Sequence, residues 1–507
     1  MKSVALHNLG CKVNGYEMDV MQQMLQEKGY KIVSFDEAAD IYIINTCTVT
    51  NIADRKSRQM LHRARKLNPD AVVVAVGCYV QTDEAGVRKD PAIDLAVGNN
   101  RKKDLVSILE RYLAQCEGAE YRPDAEGRAD AEDGADAEDG ADAEHRANVQ
   151  DGADAEHRVN AEDQADTDHR VNAQNGSKAE EAAPDSGYEC MMDVIDINHT
   201  SEYEEMTLKR TAEHTRAYIK IQDGCNQFCS YCIIPYARGR VRSRREEDIL
   251  REVEGIVSAG YQEIVLTGIH ISSYGLDRGE TELLTLLGKL HEIGGLKRIR
   301  LGSLEPRIVT EEFAAKISAM PKICPHFHLS LQSGCDSVLK RMNRRYDSGE
   351  YFQTTGLLRK YYENPAITTD VIVGFPQETE EEFKLTEAFV RKVQFYEMHI
   401  FKYSKRQGTR AAAMEGQITE AEKGRRSALL IDAGKQMSHA YRAGYIGRDT
   451  EVLMEELHEI GGRAYWVGHT PQYIKAAVIA GQGINLKNQM ITGRLTGFLD
   501  DEILLME

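Results

Sequence analysis

The 507-residue sequence contains no uninterrupted apolar stretch approaching the roughly 18 residues that a membrane span requires. Its N-terminus, MKSVALHNLGCKVNGYE, lacks a basic region before a short apolar run and does not resemble a secretory signal peptide. We therefore expect a cytoplasmic protein with no membrane partner. The chain is too long for one hydrophobic core, and domains of roughly 100 to 200 residues predict about three.

Outside one segment the sequence also lacks a strong charge of either sign. The formal net charge is −18, but residues 129–176 contain 15 Asp and Glu against three Arg, which leaves −6 for the other 459 residues. This segment is a hexapeptide array, from ADAEDG to VNAQNG, whose recurring apolar residue is only alanine. A stacked β-helix needs larger inward side chains, so we expect a disordered acidic insert. Basic patches on the folded parts are compatible with this charge balance.

Hydrophobic patterning predicts an α/β fold in three parts. Residues 1–118 alternate the apolar strands VALHNLG, IYIINT and AVVVAVG with helical patterns, which is typical of a parallel sheet. A linker at residues 119–210 contains the acidic insert. Residues 211–440 predict a partial (β/α)6 barrel with its active site at the carboxyl ends of the strands. Residues 441–507 have short strands between Gly-rich turns, which predicts a small all-β barrel. The six barrel strands are AYIKIQ, EIVLTGI, RIRLGS, HFHLSL, TTDVIVGF and MHIFKYS.

The densest cysteine motif is DGCNQFCSYC, in which Cys225, Cys229 and Cys232 follow the first barrel strand. Three thiolates at this spacing can bind three irons of a 4Fe-4S cluster and leave the fourth open to the amino and carboxylate groups of S-adenosylmethionine. An electron passed into the sulfonium then releases a 5'-deoxyadenosyl radical. The alternative, a structural zinc site, needs a fourth ligand, and none lies nearby at such a spacing. We favour the radical cluster, with Tyr231 packed against the adenine.

A second set of cysteines is related only through the predicted strands. Cys11, Cys47 and Cys78 each lie just beyond the carboxyl end of a strand, and these ends are neighbours in a parallel sheet. Ordinary buried cysteines would instead be scattered through strands and helices. We therefore favour a metal site, which also suits ten cysteines in a cytosolic chain better than disulfides do. The remaining cysteines, which we interpret as adventitious or packing residues, are Cys116, Cys190, Cys324 and Cys335.

The runs GCKVN, NTCTVT, GCY and GCNQFCSYCIIPYARGRVRSR together resemble the methylthiotransferases, over nearly the whole chain except the acidic insert. The resemblance implies an auxiliary 4Fe-4S cluster on the first three cysteines, a second 4Fe-4S cluster in a radical S-adenosylmethionine core, and a C-terminal TRAM barrel that helps to bind substrate. It further implies insertion of a methylthio group into an inert C–H bond with two molecules of S-adenosylmethionine. One methylates a sulfur carried on the auxiliary cluster, and the other yields the radical.

Branches of this family differ in substrate. GCKVNGYE with INTCTVTNIADRKSRQ is most similar to the branch that modifies C2 of N6-threonylcarbamoyladenosine beside the tRNA anticodon. The alternatives are isopentenyladenosine in tRNA, an aspartate of a ribosomal protein, or another radical product with the first domain as an electron relay. An RNA-binding module without catalysis would not need six thiolates so arranged. The chemistry also implies an electron donor such as flavodoxin or ferredoxin.

Several residue sets are candidates for binding tRNA or the cofactor. One basic run, RGRVRSRR, follows the radical motif. Further basic runs are RKSR with HRARK, at residues 55–66, and KRMNRRY, which begins at Lys340. For the first run and for residues 55–66, the alternative is a solvated helix face. Residues after barrel strands can contact S-adenosylmethionine, although each alone can equally serve a turn. The RNA candidates are Arg238, Arg240, Arg242, Arg244 and Arg245. The cofactor candidates are Tyr231, Ser303, Glu305, Gln332 and Asp370.

Overall fold

The structure, a computed structural model, describes residues 1–118, 190–211, 215–481 and 483–507. These residues form two compact units, Met1–Ile197 and Asn198–Glu507. The predicted acidic insert at residues 129–176 lies outside the described residues. Along the described ranges, no helix combines the length and the apolar content that a membrane span needs.

The first unit is built on a six-stranded sheet in which all neighbouring strands are parallel. The strands are β1 (Ser3–Asn8), β2 (Lys31–Val33), β3 (Ile41–Thr46), β4 (Val72–Gly77), β5 (Leu95–Val97) and β6 (Met191–Asp193). Their order across the sheet is β2-β1-β3-β4-β5-β6. Every residue of β3 and β4 is buried, as expected for central parallel strands with both faces covered. The predicted parallel α/β fold is confirmed.

Helices of this unit begin close to the carboxyl ends of the strands. They are α1 (Lys12–Glu27), α2 (Asn51–Leu67), α3 (Cys78–Thr82), α4 (Glu84–Lys89) and α5 (Leu105–Gly118). The hydroxyl of Thr50 caps α2 by accepting the Ala53 N–H at 3.1 Å. α1 begins directly after Cys11, and α3 begins at Cys78 itself, so the strand-to-helix turns place both thiols at one edge of the sheet.

The last strand of this sheet comes from a segment beyond the acidic insert. β6 pairs in parallel with β5, and Asp193 on it forms ion pairs with Arg101 at 2.6 Å and Arg111 at 2.9 Å. These residues fall within the predicted linker at 119–210, so the structure extends the first unit past the insert. A strand of three residues, Met-Met-Asp, is too short to show a period in sequence.

His7 on β1 makes the stability of the first unit depend on pH. Burial lowers the pKa of its imidazole to about 4, and the Arg63 cation contributes to the decrease. Because the unfolded chain has the ordinary pKa of about 6.5, the unfolding free energy should fall by up to about 3 kcal/mol as the pH drops from 6.5 to 4. His7→Phe should keep the contact with Phe35, whose ring centroid lies 5.0 Å away, and remove this loss. Thermal melts at pH 7 and 4.5 check it, and an equal drop in wild type and variant would contradict it.

The second unit contains the barrel predicted from six strand and helix repeats. Its strands are β7 (Arg216–Asp223), β8 (Arg242–Ser243), β9 (Glu263–Gly268), β10 (Arg298–Leu301), β11 (His326–His328), β12 (Ala366–Val373) and β13 (Glu397–Lys402). They form two sheets, in the orders β10-β9-β7-β8 and β11-β12-β13. Two isolated parallel bridges, Ile299 with Ile323 and Leu304 with Leu329, connect β10 and the loop after it to the segment around β11. All pairs except β7 with the short β8 are parallel. The partial (β/α)6 barrel is confirmed.

Helices cover the outside of this barrel. They are α6 (Ile234–Arg238), α7 (Glu246–Ser258), α8 (Leu283–Glu292), α9 (Glu311–Ser318), α10 (Asp336–Arg341), α11 (Ser348–Tyr361), α12 (Glu380–Val393) and α13 (Glu420–Ala443). Capping boxes begin α11 at Asp347 and α12 at Thr379. In each, the capping side chain accepts the backbone N–H of the glutamate three residues later, and that glutamate's carboxylate accepts the backbone N–H of the capping residue.

The C-terminal residues form a closed all-β barrel. Its strands are β14 (Asp449–Ile460), β15 (Arg463–His469), β16 (Lys475–Ile479), β17 (Met490–Phe498) and β18 (Ile503–Met506), in the order β14-β15-β16-β18-β17. Trp466, Met454 and Leu495 are among the buried side chains that fill it. Closure leaves no unpaired sheet edge, and the predicted all-β module is confirmed.

The turn between β15 and β16 lies across the amino ends of the larger barrel's strands. Arg298 and Arg300, at the start of β10, donate to backbone carbonyls of this turn at 2.9 to 3.1 Å. Both also pair with the buried carboxylate of Glu263, at 3.5 and 2.8 Å. Tyr473 stacks on His326 with 5.0 Å between ring centroids. The amino end of the barrel is therefore covered, and the cysteine motif lies at the opposite end.

Candidate metal centres

A tight turn after β7 presents the cysteines of the first motif. Gly224 has a φ of +70°, and a Cβ at this position would lie 1.8 Å from the carbonyl oxygen of Arg240. Only glycine fits there. The Cys225 N–H donates to the Gly239 carbonyl at 3.0 Å, and the Cys232 N–H donates to the Cys229 carbonyl at 3.0 Å. The loop therefore holds the cysteines within one compact, half-buried turn.

The same cysteines line a cavity of about 160 Å³ at the carboxyl ends of the barrel strands. Tyr231 also lines this cavity, together with Ser303 and Glu305 from the loop after β10. The structure thus brings together these cofactor candidates and the thiols. Parallel barrels place their chemistry at this end, because the loops after the strands converge there.

Gln332 and Asp370, the other two cofactor candidates, do not line the cavity. Gln332 has a φ of +67°, and its backbone pairs with β12, donating to the Asp370 carbonyl at 2.8 Å. The Asp370 carboxylate instead faces His328, with 3.2 Å between Oδ2 and Nε2. The position of a residue along a strand can be inferred from sequence, but the cavity that its side chain faces depends on register and curvature.

The Arg344 cation and backbone N–H groups contact the thiols in a way that suits an iron-sulfur cluster. An Arg344 guanidinium N–H donates to Cys229 Sγ at 3.3 Å, and the Gln227 N–H donates to Cys225 Sγ at 3.5 Å. Burial raises the pKa of Cys225 to about 11 and raises the pKa of Cys232 as well. Because ligands must be thiolates, metal binding here has to release protons. Three thiols with donors aimed at sulfur fit the coordination and hydrogen bonding of such a cluster.

The carboxylate of Glu305 is held at the edge of the cavity. Its Oε2 accepts from the Gln227 side-chain amide at 3.2 Å and lies 3.6 Å from His270 Nε2. The backbone N–H of Glu305 donates to Ser272 Oγ at 2.9 Å. Burial lowers the pKa of His270 to about 4, with Arg344 contributing, so a neutral imidazole faces this carboxylate. Glu305 can therefore bind the ammonium group of an amino acid. Sequence reasoning missed Gln227 and His270, and it considered Arg344 only as part of a basic run.

The second set of cysteines lies at the ends of neighbouring strands. Cys11, Cys47 and Cys78 follow β1, β3 and β4, which are adjacent in the sheet. A Cβ on Gly10 would lie 2.9 Å from Cys47 Sγ, so the first two loops are in contact. The Asn99 side-chain amide donates to Cys78 Sγ at 3.5 Å.

Local backbone structure favours a thiolate at Cys11 and fixes the loop that carries Cys47. Cys11 is the residue that precedes the first turn of the 16-residue helix α1, where backbone N–H groups and the helix dipole favour negative charge. The Cys47 N–H donates to Ser57 Oγ at 3.2 Å, and this hydroxyl donates back to the Cys47 carbonyl at 3.0 Å, which holds the loop against α2. Three thiols, two buried and one half-buried, fit a metal cluster that is partly shielded from water.

Comparisons with known proteins agree with these sites. The model described as "Uncharacterized protein family UPF0004" matches residues 3–98, and that of the "Radical SAM superfamily" matches residues 219–390. "Threonylcarbamoyladenosine tRNA methylthiotransferase MtaB" of Bacillus subtilis is 36% identical over 94% of this chain and 90% of its own length. The Aquifex aeolicus protein of the same name is 34% identical, over 89% and 93%. "tRNA-2-methylthio-N(6)-dimethylallyladenosine synthase" of Moorella thermoacetica is 32% identical, over 90% and 87%.

The chain belongs to the methylthiotransferase family. This methylthiotransferase is a transferase with a radical S-adenosylmethionine domain, whose chemistry requires a 4Fe-4S cluster and S-adenosylmethionine.

Three of the five arginines expected to bind RNA are buried in this methylthiotransferase, so that expectation is wrong for them. Arg238 pairs with Asp223 at 3.2 Å, Arg242 donates to the Arg238 carbonyl at 2.9 Å, and Arg244 pairs with the buried Glu252. The buried arginines of this segment are held by carboxylates and backbone carbonyls inside the fold. Arg240 and Arg245 are exposed and stay candidates.

The other basic runs of the methylthiotransferase contain side chains of different exposure and with different partners. On α2, the exposed Arg63 pairs with Asp36 at 2.5 Å, and Arg55 and Lys66 are exposed as well. In the run from Lys340, Arg344 points to Cys229, and Arg345 is exposed. The exposed cations are therefore fewer than the sequence indicates, and they lie on both units.

Proposed function

We propose that this methylthiotransferase acts on tRNA and adds a methylthio group to C2 of N6-threonylcarbamoyladenosine beside the anticodon. The observation that carries the proposal is the pair of relatives named for this substrate, 36% and 34% identical over about nine tenths of the chain. The relative named for dimethylallyladenosine, at 32% identity, supports tRNA as the substrate class but points to a different adenosine.

Cys225, Cys229 and Cys232 would hold the radical cluster, and the cavity beside them would take S-adenosylmethionine. When bound, the cluster and this cofactor supply a one-electron cleavage that yields a radical able to abstract hydrogen from an aromatic C–H bond. Arg344 stabilises the thiolates through its contact with Cys229. Glu305 would bind the cofactor's ammonium group, and Tyr231 would pack against it within the cavity. An electron donor such as flavodoxin or ferredoxin would reduce this site.

Cys11, Cys47 and Cys78 would hold a second, auxiliary 4Fe-4S cluster. Their convergence at adjacent strand ends supports the assignment, as does the donation from Asn99 to Cys78 Sγ. Such a cluster would supply an iron on which sulfur is carried before its transfer. This chain would bind three of its irons through the thiolates and leave the fourth accessible, and the Asn99 amide would stabilise the Cys78 thiolate.

Exposed cations on both units would bind the phosphates of the tRNA. Arg240, whose guanidinium lies 4.6 Å above the Phe228 ring, and Arg245 are next to the radical motif. Arg55 and Lys66 lie on α2, in the helix that follows Cys47. We propose residues 211–440 as the radical core and residues 441–507 as a TRAM-like barrel that also contacts RNA.

Mass spectrometry of tRNA nucleosides tests the substrate. In cells that lack this gene, the methylthio derivative of threonylcarbamoyladenosine should disappear, and the isopentenyladenosine derivative should stay at its normal level. Re-expression of the wild-type chain should restore the product, while a Cys229→Ala chain should not. Undiminished product in the deletion strain, with no second enzyme of this activity in the genome, rejects the substrate proposal.

A further inference from the structure

A polar cluster lies inside the larger barrel, on three neighbouring strands. His328, Asp370 and His399 come from β11, β12 and β13, and the register places Asp370 opposite His399. One nitrogen or oxygen atom from each side chain lies within 4.8 Å of the corresponding atoms of the other two. All three residues are half-buried. Such a juxtaposition has no role in the cofactor site described above.

The cluster faces the lumen and lies one step below the cysteine cavity. Side chains alternate along an extended chain, so Ser330 faces the same side as His328, and Ser330 lines the cavity of the three thiols. Two residues of extended chain span about 7 Å. On β12, Thr369 contacts Tyr351 of the outer helix α11, which leaves Asp370 on the inner face. The cluster therefore lies about 7 Å from the cavity, a distance that a substituent on a nucleobase can span.

The side chains of the cluster form a polar surface that can exchange hydrogen bonds with a ligand. The His328 ring contacts Thr368 Oγ1 at 3.0 Å and Asp370 Oδ2 at 3.2 Å. The rings of His328 and His399 are stacked, with 5.8 Å between centroids and 17° between planes. Imidazoles donate to carbonyl and carboxylate oxygens, and the Asp370 carboxylate accepts from hydroxyl and N–H groups.

These properties complement one of the two adenosine substituents considered above. A threonylcarbamoyl group carries N–H donors, a carbonyl, a hydroxyl and a carboxylate, whereas an isopentenyl group offers only apolar carbon. The polar side chains of this cluster strongly disfavour an apolar group. Contact with carbon removes the water molecules that hydrogen-bond to these side chains and provides no new hydrogen-bond partner.

We infer that His328, Asp370 and His399 form the subsite that receives the threonylcarbamoyl substituent and selects it against apolar substituents. The inference rests on the proposed function, and it adds the residues that determine specificity. His399 donates to the substituent, Asp370 accepts from it, and His328 positions the Asp370 carboxylate.

The test uses full-length, anaerobically reconstituted enzyme and two anticodon stem-loop RNAs, one with threonylcarbamoyladenosine and one with isopentenyladenosine. His399→Phe should raise KM for the first RNA about tenfold or more, the loss expected for a hydrogen bond to a charged group. Its use of the second RNA should be unchanged or improved, and its cleavage of S-adenosylmethionine without RNA should equal that of wild type. His399→Gln, which keeps one donor, should recover part of the affinity. The matched control is His291→Phe, on the outer helix α8, which should change nothing.

Three results would overturn the inference, and each differs from a failure of the proposed function. Equal losses on both RNAs would indicate a general structural role. An unchanged KM for the first RNA in His399→Phe and Asp370→Asn, with iron content intact, would remove the cluster from recognition. A divalent ion other than iron, bound by wild type and lost in Asp370→Asn, would make the cluster a metal site. Wild-type enzyme that modifies only the isopentenyl RNA would instead reject the proposed function itself.

Discussion

Replacing Cys11, Cys47 and Cys78 together by alanine should lower the iron content of the reconstituted enzyme from about eight to about four atoms per chain. Cleavage of S-adenosylmethionine to 5'-deoxyadenosine should continue, because Cys225, Cys229 and Cys232 lie in the other compact unit. Formation of the methylthio nucleoside should fall below detection, since the site proposed to present sulfur is gone. Iron and sulfide analysis, with product and 5'-deoxyadenosine measured in one reaction, checks all three.

The matched control replaces Cys116 and Cys190, the other cysteines of the first unit. Cys190 is buried, with its thiol 3.5 Å from the Val87 carbonyl oxygen, so the double variant tests the effect of losing packed thiols. It should keep about eight irons and near-normal turnover. If the triple variant also retains about eight irons, the auxiliary cluster proposal fails.

Gly224→Ala should abolish the radical site through one added methyl group. The new Cβ would lie 1.8 Å from the Arg240 carbonyl oxygen on a backbone with a φ of +70°, so the turn has to open. Opening breaks the donation from Cys225 to Gly239 and displaces a thiol by about the methyl radius. A misplacement of about 1 Å at a reacting centre can cost about 100-fold in rate. We expect at least that loss in 5'-deoxyadenosine formation, together with about four fewer irons.

Gly255→Ala in α7 is the control for this substitution. A Cβ at Gly255 meets nothing within 4 Å, and the position lies inside a helix. Alanine there should be neutral or stabilise by up to about 1 kcal/mol, because it lowers the entropy cost of helix formation. Full iron and full cleavage in Gly224→Ala would contradict the tight turn that the structure shows.

The parallel sheets could be predicted because their central strands are continuous apolar runs in the sequence. IYIINT and AVVVAVG became β3 and β4, in which every residue is buried, and both cysteines that follow them lie at the predicted sheet edge. Placing Cys11, Cys47 and Cys78 at adjacent strand ends needed only the rule that parallel strands end together. β6 could not be predicted in the same way, because three residues separated from their partner strand by an acidic insert have no period and no local partner.

The direction of individual side chains was the harder part. RGRVRSRR looks like an exposed cationic run, yet Arg238, Arg242 and Arg244 are buried, since Asp223 and Glu252 supply carboxylates inside the fold. Those carboxylates are distant in sequence from some of their partners, and pairing is decided by tertiary structure. The juxtaposition of His328 with His399 likewise depends on the register of three strands, which periodicity leaves open.

The turn that covers the amino end of the larger barrel closes that end of the lumen. Arg298, Arg300 and Tyr473 bind this cover to the strands, and the cysteine cavity lies at the other end. Molecules that reach the thiols must therefore enter from the cysteine end or from the open side of the partial barrel. Where product leaves by the route through which the next substrate enters, the rate of product release sets an upper limit on turnover.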